Sequence, residues 1–412
     1  MSQFGDIGGL GRHYLQAESY GAAAFCFYRL LHEESGSANG WNGLVLSLSL
    51  MRKENDSQTA LARYGLQPNS VFDQDLISFA LMIWQHDPRA LSQWMRAVLA
   101  KEGSNVENRH VFEQIAEELE QAYAGLLQQH GEEALTNQGM LSLTDYASRR
   151  MELDWLVSES FDNVIEQGKK WLEDPESALY GVRLLCMLPD PRSEKLLRRV
   201  CRNEDIDAKV RTHAVLALRW LGVRGNARIS KFGESFVINL DNPEPELSIS
   251  VPAAYRPALD RMKLWCAKQI GLVDPVDYEA VATADEVELS EELKNKMSET
   301  DVAPILQEVA HMLIRSAYDQ YYPLVPTVTG ARDWAAAMLW LMKDYAEGVG
   351  VEWPYGNPEL TEMAQRHRNW LLSGSPDFYD SIEAAKQARI AQAQAQMQAQ
   401  EQPEPEPEQA NQ

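Results

Sequence analysis

Asp207-Ala208-Lys209-Val210-Arg211-Thr212-His213-Ala214-Val215-Leu216-Ala217-Leu218-Arg219-Trp220-Leu221-Gly222 is the most informative stretch of the sequence. Val210, Ala214, Ala217, Leu218 and Leu221 return at the spacing that lines one face of a helix. About 33 residues upstream, Ala178, Gly181, Leu184, Leu185 and Leu188 take the same phase, and Pro189-Asp190-Pro191 breaks the chain before the next helix. Two such copies describe a stack of helix pairs better than one isolated helix.

The stretch resembles the inner helix of a HEAT-like repeat of the PBS-lyase type. That signature, D-x-x-V-R-x-x-A-x-x-A-L-x-x-L-G, is nearly complete here, and the spacing of about 33 residues suits the repeat class. The resemblance implies a HEAT-like helical array over 144–231.

Read from Phe4, the N-terminal segment is similar to a tetratricopeptide repeat. Leu10-Gly11, Tyr14, Ala23 and Phe27 fall at the offsets of that roughly 34-residue unit, with Ile7 at its first large position. One repeat later Trp41, Leu44, Leu48 and Leu61 take the bulky positions, and Pro68 lies one residue before the usual closing proline. Small residues let the two antiparallel helices of a unit approach closely, and bulky ones fill the seam with the next unit. Residues 72–101 keep the length of a third helix pair, broken at His86-Asp87-Pro88. A further amphipathic helix over 106–129 carries Val111, Ile115, Leu119, Tyr123 and Leu126 on one face. The resemblance implies a tetratricopeptide-like array over 1–130.

Farther on the pattern changes. Phe236–Leu240 and Leu247–Val251 are short β-type runs on either side of a loop with two prolines, which predicts a hairpin or extended linker over 232–252. Helical periodicity resumes at 256–272, 303–320, 331–347 and near 358–372, giving a C-terminal helical domain over 253–382. From 383 to 412, Ala-Gln alternation and then Pro-Glu alternation offer no helical stripe, and a disordered tail is expected. The fold class is therefore all-α: an α-solenoid of antiparallel helix pairs with a short β excursion.

The chain has 412 residues, with 61 acidic and 38 basic side chains, a net charge of −23 and a pI near 4.8. That balance argues against coating nucleic acid or anionic membrane along the whole length, because phosphate binding depends on Lys and Arg. The charge is uneven, however. Residues 183–231 hold 12 basic and 5 acidic groups, whereas 274–308 hold 2 basic and 11 acidic. Arg198, Arg199, Arg202, Lys209, Arg211, Arg219, Arg224, Arg228 and Lys231 make up most of this basic island. HEAT-like arrays use such faces to bind acidic peptides, phosphates or nucleic acid; the competing reading is neutralisation by the chain's own acids. Asn42, Arg63, Arg198, Arg199, Arg202, Lys209, Arg211 and Arg219 are the candidate partner contacts.

Catalytic chemistry has no sequence support. Cys26, Cys186, Cys201 and Cys266 are scattered and form no CxxC, which reads as buried thiols in a reducing compartment. The eight histidines include no HExxH and no pair at i, i+4, so no metal site is assigned. Gly8-Gly9-Leu10-Gly11 follows no expected strand and lacks the spacing of a phosphate loop. Close acidic pairs such as Asp285/Glu286 are numerous, as 61 acids make inevitable. No cofactor is expected. The opening residues carry no signal-peptide pattern and no stretch approaches the ~18 apolar residues of a membrane span, so a cytoplasmic location is expected. The expected function is a non-catalytic scaffold or adaptor that binds a partner protein or peptide. A second reading is nucleic-acid or phosphate binding through 183–231, and a third is an enzyme with an unrecognised site in 253–380.

Overall fold

The computed structural model describes residues 6–68, 74–101, 109–284 and 288–401. Phe4, the 69–73 and 102–108 stretches of the repeat reading, the Asp285/Glu286 pair and tail residues 402–412 lie outside them. The chain forms two compact units, Met1–Glu244 and Pro245–Gln412.

The first unit is a succession of helices: α1 (Ile7–Gln16), α2 (Tyr20–Glu33), α3 (Ala38–Leu50), α4 (Glu54–Leu66), α5 (Gln74–Ile83), α6 (Pro88–Leu99), α7 (Arg109–His130), α8 (Glu132–Asn137), α9 (Leu143–Ser148), α10 (Glu152–Ser158), α11 (Phe161–Glu173), α12 (Ala178–Leu185), α13 (Pro191–Arg202) and α14 (Ala208–Trp220). Sequence neighbours pack as pairs, α1 on α2, α3 on α4, α6 on α7, α11 on α12 and α13 on α14. The breaks follow capping chemistry. Asp87 and Asp190 each accept a backbone N–H just ahead of a helix that begins with proline, and Asp207 accepts those of Lys209 and Val210. Phe27, at a bulky repeat position, is buried between Gly11 and Gly43, where a Cβ would come within 3.0 and 2.4 Å of its ring. Glycine at these two sites lets α1 and α3 close on α2, which is how small residues act in stacked helix pairs.

The β excursion differs from expectation. The hairpin joins β1 (Asn226–Lys231) to β2 (Glu234–Asn239), with Lys231 opposite Glu234. Phe232 and Gly233 form the turn, both left-handed at φ 53° and 81°, the pattern of a two-residue turn whose twist suits the strands. Leu247–Val251, expected as a strand, forms none. Two features hide β1 from a sequence reading. An inward-facing, fully buried Lys231 masks the apolar alternation of Ala227 and Ile229, and Phe-Gly lacks the Asn-Gly signal of such a turn.

The second unit contains a 3-10 turn (Ala253–Tyr255) and α15 (Arg256–Gln269), α16 (Pro275–Ala282), α17 (Glu291–Ser298), α18 (Pro304–Tyr321), α19 (Ala331–Val349), α20 (Glu362–Ser373) and α21 (Phe378–Glu401). Helix α19 is central and packs on α15, α18, α20 and α21. Its Trp334 is fully buried, with the His367 ring stacked at 3.9 Å and Tyr255 and Trp370 edge-on at 5.2 and 5.7 Å. Trp353 donates to the Gly356 carbonyl at 2.6 Å, so Trp353-Pro354-Tyr355-Gly356 is a packed turn. Helix α21 runs through Glu401, so the segment from 383 is helical as far as it is described. Ala and Gln are both strong helix formers and sustain a helix without an apolar stripe.

Candidate functional site

Nine of the twelve cations of 183–231 separate into two sets by what they touch. The first set fastens elements of the first unit to one another. Lys231 donates to the Ala208 carbonyl and to the Thr212 hydroxyl, which ties the hairpin to α14. Arg211, 6 % exposed, donates to the Ser230 carbonyl at 2.5 Å. Arg219 pairs with Glu18. Arg224 donates to the Ser19 hydroxyl at 2.7 Å and the Ala17 carbonyl at 2.9 Å, which fixes the α1–α2 corner to the end of α14. Arg198 donates to Glu194 at 2.7 Å and to the Asn226 carbonyl at 3.0 Å, joining α13 to β1. Arg192 donates to Asp190 and Asp162.

Lys195, Arg199 and Arg202 form the second set, which takes part in none of these bonds between elements; Arg202 donates within its own helix, to the Arg198 carbonyl at 2.9 Å. All three are exposed on α13 at spacings of four and three residues, one above the other on a single helix face. Leu196, Leu197, Val200 and Cys201 are buried on the opposite face. Helix α13 is thus apolar toward the core and basic outward. Arg228 is exposed on β1, which packs against α13 through the Arg198–Asn226 bond. Glu204 and Asp205 are exposed in the loop that follows α13 and give the patch an acidic edge.

The structure scatters the remaining candidates. Lys209 is half-buried in the first turn of α14, and its backbone N–H is capped by Asp207. Asn42 donates to Asp75 at 3.4 Å, linking α3 to α5. Arg63 donates to both oxygens of Asp154, at 2.8 and 2.7 Å, and to the Ala147 and Arg149 carbonyls. Tyr28 donates to the same carboxylate. Burial pushes Asp154 upward, but the hydrogen bonds from Arg63 and Tyr28 outweigh it and hold this carboxyl at about 2. Arg63 is therefore a fastener between α4 and α10. Of the eight candidates, Arg199 and Arg202 are exposed on one helix face, with Arg198 beside them. Lys195, absent from the sequence-based candidates, completes their stripe; its signal is its position four residues before Arg199.

Other motifs have structural explanations. Asp6 accepts the Gly9 N–H at 2.9 Å, so a side chain of the protein already fills the start of the glycine run. All four cysteines are buried, and burial pushes Cys26 up to about 11 and Cys186, Cys201 and Cys266 to about 12. Among the described residues no group of three or more His, Cys, Asp or Glu side chains is placed to hold a metal. No described helix is long and apolar enough to cross a membrane.

No protein-family model matches the chain, and no curated protein or solved structure shows significant similarity to it.

Proposed function

We propose that the protein is a non-catalytic interaction protein whose first unit binds an acidic segment of a partner protein on the outer face of α13 and the adjoining hairpin. The observation that supports this is the exposed stripe of Lys195, Arg199 and Arg202 on α13, with Arg228 exposed on the adjoining strand, in a region where most other cations bond to other elements of the unit. Desolvated or internally bonded cations hold the fold together; exposed, aligned ones attract anionic ligands from a distance and orient them.

A peptide suits the patch better than nucleic acid. Three aligned cations followed by exposed Glu204 and Asp205 span few phosphates, and affinity for a phosphate backbone grows with the number of phosphates neutralised. The chain's net charge of −23 opposes a longer polyanion.

The helix pairs of the first unit are, in this proposal, tetratricopeptide-like over α1–α4 and HEAT-like over α11–α14. Support comes from Phe27 lying between Gly11 and Gly43 and from the capped α13–α14 pair. Such stacks act by presenting side chains from successive helices on one surface. A cytoplasmic location belongs to the same proposal and rests on four buried, unpaired thiols.

The discriminating experiment titrates the full chain with a fluorescent Asp/Glu-rich peptide and, separately, with a single-stranded oligonucleotide of equal charge. Tighter binding of the peptide supports the proposal. Tighter binding of the oligonucleotide replaces it with the nucleic-acid reading.

A further inference from the structure

The hairpin of the first unit has one guarded edge and one bare edge. Along a strand the backbone N–H and C=O groups of successive residues point alternately to its two sides. Leu240 donates to the Gly225 carbonyl at 2.8 Å, in line with the register of the hairpin, so the even-numbered residues of β2 face β1. On β1 the even-numbered residues face away from β2, toward α13 and α14. Arg198 of α13 donates to the Asn226 carbonyl at 3.0 Å and Arg211 of α14 to the Ser230 carbonyl at 2.5 Å, so two arginines cover that edge.

The outer edge of β2 consists of the backbone groups of Ser235, Val237 and Asn239. Among the described residues no third strand and no backbone bond from another element reaches them. All three residues are exposed, Val237 by 59 %. Such edges pair with other strands unless a charge, a proline or a bulge prevents it. Ser235-Phe236-Val237-Ile238-Asn239 has no charge and no proline, and its register with β1 is unbroken.

We propose that β2 pairs antiparallel with β2 of a second copy of the chain, about a two-fold axis at Val237, so that two hairpins form one four-stranded sheet. The strand is complementary to itself in this register. Val237 meets Val237, Ser235 meets Asn239 and Phe236 meets Ile238 of the copy, which matches apolar with apolar and polar with polar. Glu234, the charged residue of β2, falls opposite Leu240, so no like charges oppose each other. The outward-bonding residues all meet one another and exchange about six hydrogen bonds. Every other register of the right parity leaves at least one of them unpaired. An uncharged edge selects neither an acidic nor a basic segment, whereas a copy fits it residue by residue and is present whenever the edge is. The outer strands of the new sheet are the two arginine-covered β1 strands, so pairing stops at two copies. The basic stripe belongs to α13, on the β1 side of the hairpin, so each proposal stands or falls alone. The net charge of −23 opposes association at long range, and the dimer is expected to tighten as salt screens it.

The test is sedimentation velocity of the full chain from about 1 to about 200 µM. A reversible monomer–dimer equilibrium with Kd in the micromolar range is expected. Val237→Lys sets two ammonium groups against each other at the axis and is expected to raise Kd at least about tenfold, with circular dichroism confirming the fold. Val237→Cys reads the geometry, because opposed residues in such a pair stand about 5.5 Å apart at Cα, within reach of a disulfide, and the native thiols are buried. Mild oxidation is expected to join two copies through position 237 and to leave Tyr180→Cys, at an exposed position of α12, unlinked. Three results would overturn the proposal: a chain still monomeric at about 200 µM, which would leave the edge to a foreign strand, a dimer equally tight in folded Val237→Lys, or equal cross-linking at positions 237 and 180.

Discussion

Gly21 lies directly against the carbonyl oxygen of Cys186: a Cβ at position 21 would come within 2.0 Å of that oxygen. The contact sets the backbone of α2 on the end of α12, so the N-terminal helices and the α11–α14 helices share one compact unit. Because the obstructing atom is backbone, no side-chain rotation relieves it. Gly21→Ala is expected to destabilise the first unit by about 2–4 kcal/mol. Gly125, inside α7, has nothing within 4 Å of the place a Cβ would take. Gly125→Ala is expected to stabilise by about 0.5–1 kcal/mol through helix propensity. Urea unfolding of both variants checks the pair, and equal effects would contradict the packing described for α2.

Two carboxyls in the first unit give opposite pH signatures. Burial, with Glu152 nearby, pushes Asp56 up to about 6 against the partial offset of Lys53. The folded state therefore holds a proton that the unfolded chain has lost, and stability falls as pH rises from about 4 to about 6. The full effect is on the order of 3 kcal/mol. Asp154, held at about 2, contributes stability that is present above the ordinary aspartate range and lost as pH falls toward 2. Asp56→Asn is expected to raise stability at pH 7.5 and to flatten the profile between about pH 4 and 6. Denaturant midpoints at pH 4.5 and 7.5 decide this; a profile that keeps its wild-type slope in the variant would count against Asp56 as the source.

His367 supplies a third test, in the second unit. Burial against Trp334 lowers its pKa from the usual 6.5, with Asp333 acting in the opposite direction. A histidine depressed in the folded state contributes stability above pH 6.5 that is lost as pH falls through the folded value. Unfolding followed by tryptophan fluorescence is expected to shift to lower denaturant below that pH in the wild type and to stay level in His367→Gln. A parallel decline in both proteins would remove His367 from the explanation.

These relationships are unevenly legible in the sequence. Helix α14 can be read almost residue by residue, because Asp207, the apolar stripe and Gly222 mark its start, face and end. The hairpin cannot, since a buried lysine at 231 reads as a solvent residue until the Ala208 carbonyl and Thr212 hydroxyl are seen to receive it. Arg63 shows the same blindness: sequence marks a cation, and only the fold reveals Asp154 against it. For the basic island, composition identifies the segment but not which members are engaged, because ion pairs such as Arg219–Glu18 join residues far apart in the chain.

The outward stripe of α13 is tested most directly by charge reversal. Lys195→Glu, Arg199→Glu and Arg202→Glu combined alter exposed positions; because Arg199 and Arg202 lie in the last turn of α13, stability is expected to fall by about 1–2 kcal/mol with the fold retained, which circular dichroism checks. Fluorescence anisotropy with the Asp/Glu-rich peptide, repeated across salt concentrations, gives the decisive reading. The expected result is binding that weakens steeply with salt in the wild type and at least about tenfold weaker binding in the triple variant. Equal affinity in the two proteins would contradict the assignment of this face as the partner-binding surface.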